Sequence, residues 1–269
     1  MARTELPVYV SIATIPSRIG GMKPTIDSLL RGNLVPDKII VVRPEYCEWE
    51  KSGYDVPDFL NDPSYCREIV EMVVTSSDMG SSTKILGTLG RLPDRSMLVI
   101  ADDDVIYHES FLNGLVEAQA ANPKSSFSYY TYRHGGMTFA TGCDGVSFYA
   151  PNLRGMSRFA QDHVLGTSLM YHDDLWIGFF LYRQGIAIRQ IAKPAGCDLI
   201  YTQALPNDVL SGVVTGSFAR GTITREGLGR LIKNGGLTTM QRLAMRTTDI
   251  VDRAAGMFRW HVLGAKRRA

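Results

Sequence analysis

The chain has 269 residues, 45% of them hydrophobic, four cysteines and a formal net charge of +2. It can bury one large core or two modest ones, while no apolar run reaches the roughly 18 residues of a membrane span and no signal-peptide pattern precedes the first strand-like segment. Cys47, Cys66, Cys143 and Cys197 have neither C-x-x-C nor metal-ligand spacing, so they read as reduced thiols of a cytosolic protein, with a Cys47 to Cys66 disulfide as the alternative in an oxidising compartment.

In chain order, Val8–Ala13 and residues 38–42 are β-branched runs, and residues 26–30 between them have helical spacing, which makes a β-α-β unit. Residues 43–64, rich in Pro, Tyr and Asp, read as an ordered surface insertion. Residues 69–74 give a third strand, 82–92 a helix, Met97–Ala101 a fourth strand and 109–120 another helix. Alternation of strand and helix predicts a mostly parallel sheet with crossovers. Aromatic runs at 127–132 and Val146–Tyr149 follow, set among Gly135, Gly136, Gly142 and Gly145, which allow tight turns and close approach of backbone to a ligand. Residues 174–182 read as a helix and 186–191 as a strand. The expected organisation is a domain over 1–205 and a basic, partly amphipathic helical extension over 206–269.

In that extension, Leu243, Met245, Ile250, Val251, Ala254, Met257, Phe258 and Val262 recur at helical intervals among arginines. Such a helix can lie in a bilayer interface, or pack its stripe on the body or on a second subunit. The chain is basic from Arg220 onward and net acidic before it. That imbalance suggests an anionic partner for the tail, a membrane surface or lipid-linked phosphate, against the alternative of a solvated helical face. The expected location is cytoplasmic, with peripheral contact at the inner membrane face; nucleic acid is not an expected partner.

Four clusters carry chemistry. Asp102, Asp103 and Asp104 stand where the apolar run Met97–Ala101 should end. Three adjacent carboxylates repel one another and are kept cheaply only in water or around a cation, and the carboxyl end of a strand is where open α/β sheets bind ligands. The competing reading is a solvated acidic turn or helix cap. Asp173 and Asp174 stand at an expected helix start, where a carboxylate facing a ligand can take a proton from a hydroxyl, or merely cap the helix. Residues 77–84 (Ser-Asp-Met-Gly-Ser-Ser-Thr-Lys) form a polar turn feeding a helix with Lys84 one turn in, a pattern suited to phosphate but lacking P-loop order. Arg18 follows the first strand beside Thr14 and could pair with a phosphate or an aspartate.

Taken in order, these pieces resemble a nucleotide-sugar glycosyltransferase of the GT-A fold: S-I-x-T-I-x-x-R at residues 11–18, the D-x-G-x-x-x-K of Asp78, Gly80 and Lys84, the triplet, a glycine-rich turn, then D-D-L-W-I-G at 173–178. The nearest group is the inverting β-1,3-galactosyltransferase and fringe-like enzymes, matched at 101–105, 143–149 and 173–178; small bacterial glycosyltransferases with a D-D-D segment are also similar. The resemblance covers roughly residues 8 to 200. It implies a Rossmann-like, mostly parallel sheet flanked by helices. It further implies Mn²⁺ or Mg²⁺ on Asp104 with Asp102 or Asp103, and a nucleotide side lined by Thr14, Arg18, Lys84, Asp102 and Asp103. Asp174 would be the base with Asp173 positioning the acceptor, or the reverse, and Trp176 and Gly145 would shape the sugar pocket. A UDP-sugar donor and a glycan or lipid-linked acceptor follow from the same resemblance. The fringe-like group supplies a late histidine to its metal; this chain has none between His172 and His261, and Asp198, Asn207 and Asp208 are the substitutes at hand. Two readings compete: a sugar-phosphate nucleotidylyltransferase, which would need a glycine-rich loop after the first strand, and a non-catalytic module that kept the fold.

Overall fold

The computed structural model describes residues 6–204, 217–242 and 245, with backbone alone over 217–225. The chain opens as expected with β1 (Val8–Ala13), then a single turn of helix, α1 (Pro16–Ile19), α2 (Lys23–Leu30) and β2 (Lys38–Pro44). After the insertion and a further turn, α3 (Pro63–Cys66), come β3 (Val70–Thr75), α4 (Thr83–Leu86), β4 (Met97–Ala101), β5 (Val105–Tyr107) and α5 (Phe111–Ala121). The second half comprises β6 (Ser125–Ser128), the hairpin β7 (Thr131–His134) and β8 (Met137–Ala140), β9 (Val146–Tyr149), α6 (Met156–His163), α7 (Asp173–Arg183), β10 (Ala187–Gln190), β11 (Tyr201–Gln203) and α8 (Ser217–Asn234).

Seven strands form the central sheet in the order β10-β6-β9-β4-β1-β2-β3. All pair in parallel except β9, which runs against both β4 and β6. Both faces are covered, so β4 is apolar and buried at every residue, as a central parallel strand must be. Its side chains alternate: Leu98 and Ile100 enter the core beneath α7, with Phe139, Phe148 and Trp176, whereas Val99 and Ala101 meet α2 and α5 through Ile26, Leu29, Phe111 and Leu115. Nearly the whole circumference of α7 is apolar, and Leu175, Trp176, Ile177, Phe179, Phe180 and Leu181 are all buried.

Three sequence readings change. The helix expected over 82–92 is α4 flanked by 3₁₀ turns at Gly80–Ser82 and Leu89–Arg91. Gly87 ends it, and a methyl group there would sit 2.4 Å from Val42 Cγ1, so this segment lies close on β2 at the expense of helical continuity. The run 127–132 is two strands in two sheets, parted at Tyr129, whose hydroxyl donates to Phe111 O at 2.9 Å. The third change concerns the extension. Leu228, Leu231, Leu237 and Met245 are buried in the same core as α7, so Met245 of the predicted stripe packs on the body. Residues 205–216, including the expected boundary, Asn207 and Asp208, and residues 246–269 with His261 lie outside the described residues. Among those described, no helix is long and apolar enough to cross a membrane, and all four cysteines are free.

Candidate active site

The chain leaves β1 for β2 on one side and later returns to place β4 on β1's other side. That reversal is a topological switch point, where an open α/β sheet leaves a crevice at its carboxyl ends. Asp102, Asp103 and Asp104 lie there, in the turn from β4 into β5, and their backbone is held from three directions. Asp102 N–H donates to the Tyr107 hydroxyl at 2.8 Å, Thr25 Oγ1 donates to Asp103 O at 3.0 Å, and Gln203 Nε2 and Ala204 N–H donate to Asp104 O at 2.9 and 2.8 Å. Asp103 and Asp104 are only 2% and 7% exposed, which rules out a solvated acidic turn.

Two basic side chains answer this charge. From α1, Arg18 donates through Nη1 to Asp103 Oδ1 at 2.7 Å and through Nη2 to Asp104 Oδ2 at 2.8 Å. From α4, Lys84 Nζ contacts Asp102 Oδ1 at 2.7 Å and Asp173 Oδ2 at 3.2 Å. Burial works against the Lys84 ammonium, but Asp102 and Asp173 outweigh it and hold its pKa well above 10.5. The Arg18 guanidinium is likewise desolvated and then held charged by Asp103, Asp104 and Asp102. At Asp103 the balance runs the other way: burial pushes its carboxyl up to about 6 despite Arg18.

The second carboxylate pair enters the cleft from the start of α7. Asp173 carries the contact with Lys84. Asp174 Oδ1 instead accepts from Gly142 N–H at 3.1 Å, and burial, then the neighbouring Asp173, lift its carboxyl well above the usual range. The absence of a side chain at Gly142 lets this backbone approach the pair closely, since a methyl group would lie 2.8 Å from Asp102 Oδ1 and 3.0 Å from Lys84 Nζ and would push those side-chain tips aside. The two halves of the site therefore meet at one lysine and one glycine.

The cleft has a volume of about 670 Å³, within the range of small-molecule sites. It gathers Thr14, Arg18, Lys84, Asp102, Asp103, Asp104, Asp173 and Asp174 on one surface. Gly145 and Trp176, expected in the sugar pocket, are not on it. Trp176 is fully buried with Nε1 donating to Ser82 Oγ at 2.8 Å, and Gly145 packs under the Phe111 ring. Thr141, Gly142 and Cys143 of the same loop line the cleft instead, the Cys143 thiol pushed up to about 12 by burial and Asp102. Asp198 is exposed and away from the cleft.

The insertion after β2 supplies walls that the sequence reading missed. Cys47, Trp49 and Tyr54 line the cleft. Tyr54 donates to Thr14 O at 3.0 Å, Glu48 N–H to Asp78 Oδ2 at 2.8 Å and Ser17 N–H to Glu50 Oε2 at 2.9 Å. The Trp49 and Tyr171 rings meet at 5.6 Å. Tyr132 lines the cleft too, its hydroxyl pushed upward by burial and by Asp174 and Asp173.

Among the described residues no group of three or more His, Cys, Asp or Glu side chains forms a cage for a metal ion. A hard divalent cation in a phosphate site needs no such cage, since one or two carboxylates and substrate oxygens suffice. The donors at the triplet are all carboxylate oxygens, and Asp103 Oδ2 is buried with no hydrogen-bond partner among the described residues. That donor set fits a hard divalent cation.

No protein-family model and no curated protein matches the sequence. Solved structures do match. The mannosyltransferase PcManGT from Pyrobaculum calidifontis, in complex with GDP-Man and Mn²⁺, aligns over 94% of this chain and 76% of its own with a TM-score of 0.52 at 14% identity. Glucosyl-3-phosphoglycerate synthase from Mycobacterium tuberculosis, in complex with Mn²⁺, UDP and phosphoglyceric acid, aligns over 87% of this chain and 80% of its own, also at 0.52 and 14%. The chain has a GT-A fold. At that identity the likeness concerns architecture alone, and the GT-A sheet with its crevice is what this chain shares with the two enzymes.

Proposed function

We propose that this GT-A chain is a divalent-metal-dependent glycosyltransferase that moves a sugar from a nucleoside-diphosphate sugar to a hydroxyl of a glycan or lipid-linked acceptor, with inversion at the anomeric carbon. The observation that carries the reading is the convergence of the aspartate turn, Lys84 and the Asp173–Asp174 pair on one cleft at the switch point. The similar structures hold GDP-Man and UDP with Mn²⁺, which supports a donor of that class; a UDP-sugar is favoured. The order of motifs fits the fringe-like group.

Asp104 and Asp102 would hold the cation, which supplies positive charge against the departing diphosphate. Thr14, Arg18, Lys84 and Asp103 line the nucleotide side, and the two basic groups place fixed charge where the leaving group becomes more negative. Asp174 is the base. Lys84 contacts Asp173 rather than Asp174, and the raised pKa of Asp174 suits a group that must accept a proton at neutral pH. The acceptor oxygen forms its bond to the anomeric carbon as the bond to the diphosphate oxygen breaks, and its proton passes to Asp174. Asp173, held by Lys84, positions rather than reacts.

The deciding experiment is Asp174→Asn, which keeps shape and removes the base. Transfer should fall by ~10²- to 10⁴-fold with affinity for UDP or GDP in the presence of Mn²⁺ unchanged, and NMR of wild-type product should show the anomer opposite to the donor's. An active variant would move the role to Asp173; a product retaining the donor's configuration would overturn single displacement.

A further inference from the structure

The hairpin of β7 and β8 stands outside the central sheet. Its turn is Gly135 and Gly136, both at positive φ (56° and 74°), as in the tight hairpin turns whose twist matches the strands they join. That turn fixes the register, so Tyr132 stands opposite Phe139, and their rings stack with centroids 5.5 Å apart and planes inclined by 25°. Phe139 is fully buried and lies against α7 at Gly178, where a methyl group would come within 2.4 Å of Phe139 Cδ1. Gly178 is one helical turn beyond Asp174, and residues four apart share a helix face. The hairpin therefore carries Tyr132 over the stripe of α7 that begins with Asp174, and there Tyr132 reaches the cleft.

The Tyr132 ring packs on the core beneath α7, but its hydroxyl makes no hydrogen bond among the described residues. For packing alone phenylalanine would stack equally well, and a tyrosine drawn out of water usually gives its hydroxyl a partner. Burial, then Asp174 and Asp173, raise the pKa of this phenol, so it keeps its proton at neutral pH and lies close to both carboxylates. Asp174 has Oδ1 engaged by Gly142 N–H, which leaves Oδ2 for the acceptor. We propose that Tyr132 is an acceptor-binding residue, its hydroxyl holding the sugar hydroxyl adjacent to the one that Asp174 deprotonates, so that the acceptor is a sugar ring with neighbouring hydroxyls rather than a lone alcohol. A phenol both donates and accepts, which suits a sugar hydroxyl; a phosphate would face Asp173 and Asp174 here, and a lipid alcohol offers one oxygen only. Two contacts on one ring also fix which hydroxyl meets the base, and hence the linkage formed. This rests on reading Asp174 as the base of a glycosyltransferase.

The test compares wild type with Tyr132→Phe, which keeps the stack on Phe139. Donors are UDP-glucose, UDP-galactose and GDP-mannose with Mn²⁺. Acceptors are the methyl glycosides of glucose, galactose, mannose and N-acetylglucosamine, with polyprenyl phosphate and a simple alcohol beside them. For the best glycoside, monodeoxy analogues lacking in turn each hydroxyl beside the one glycosylated are added. Tyr132→Phe should bind UDP or GDP with wild-type affinity by calorimetry and lose about tenfold in kcat/KM on the glycoside, through KM more than through kcat. One deoxy analogue should cost wild type about the same factor and cost Tyr132→Phe less than about twofold more, because the partner is already gone. Equal kcat/KM in the two enzymes, or a deoxy analogue that costs both alike, would overturn the assignment and leave the donor site and Asp174 standing. Transfer to the alcohol or the polyprenyl phosphate in preference to every glycoside, or release of free sugar with no transfer at all, would overturn the acceptor class. Absence of nucleotide binding in wild type with every donor would overturn the glycosyltransferase reading and this inference with it.

Discussion

Replacing Lys84 by methionine is the most direct test of how the site is held. Its side chain is 8% exposed and its ammonium contacts Asp102 at 2.7 Å and Asp173 at 3.2 Å. Removing one partner of a buried pair costs ~3–5 kcal/mol, because the charge left behind has lost its solvent as well as its counterion. Asp102, with 30% of its side chain exposed, can regain water, whereas Asp173 at 9% cannot. The lower end, about 3 kcal/mol, is therefore the working figure. For a domain of this size that is a fall of roughly 6–12 °C in Tm. The Lys84 ammonium is held well above 10.5, so the stability it supplies is complete throughout the neutral range and is lost only in strong alkali. Urea denaturation at neutral pH checks this, and the double variant Lys84→Met with Asp173→Asn should recover most of the loss. A single variant within ~0.5 kcal/mol of wild type would refute the buried pair, since that is the range of an ordinary surface substitution.

Further outcomes follow from neighbouring contacts. Gly142→Ala would drive a methyl group against Asp102 and Lys84; calorimetry should show at least a tenfold loss in Mn²⁺-nucleotide affinity for ~1–3 kcal/mol of stability, and unchanged binding would mean the pair yields freely. Trp176→Phe removes the bond to Ser82 and should cost ~1–3 kcal/mol with acceptor KM unaltered; a raised KM would return Trp176 to the sugar pocket. The Asp103 carboxyl, raised from 3.8 to about 6 mainly by burial, binds its proton in the folded state before the unfolded chain does. Its contribution to stability is full below the unfolded value and is lost as the pH rises through the folded one. The stability of wild type relative to Asp103→Asn should accordingly grow as the pH falls from about 7 to about 5, and a slope of the opposite sign would exclude the buried carboxyl.

The parallel sheet could be read from the sequence because its strands are short, β-branched and separated by helical spacing, and because β4 is apolar at every position, as double burial demands. The aspartate turn and the start of α7 were legible for the same reason: carboxylates stood out where apolar runs ended. What lay hidden depended on direction rather than composition. Trp176 and Asp174 are two residues apart on one helix, yet one faces the core and the other the cleft, and sequence order alone does not say which. The insertion after β2 has no hydrophobic period, so its place over the cleft emerges only from tertiary bonds such as Tyr54 to Thr14. α6 went unread because its apolar residues are few: Met156, Phe159 and Ala160 are the buried ones. The break after α4 was missed because Gly87 answers to Val42, a residue far away in sequence.

The reversed strand in the sheet has a consequence for how such a pocket can be remodelled. Because β9 runs against β4, Val146 at its beginning lies opposite Ile100 near the end of β4, and the turn before it, closed by Gly145 N–H donating to Gly142 O at 2.9 Å, is delivered to the ligand side. A parallel strand of the same length would begin roughly 10 Å away at the far edge. Polarity of a single strand thus decides that a backbone N–H, rather than a side chain, meets Asp174. The turn is a peninsula of the sheet: a change in its length would leave every strand register intact yet move the one backbone N–H that meets Asp174, so its size is set by the cleft and not by the sheet.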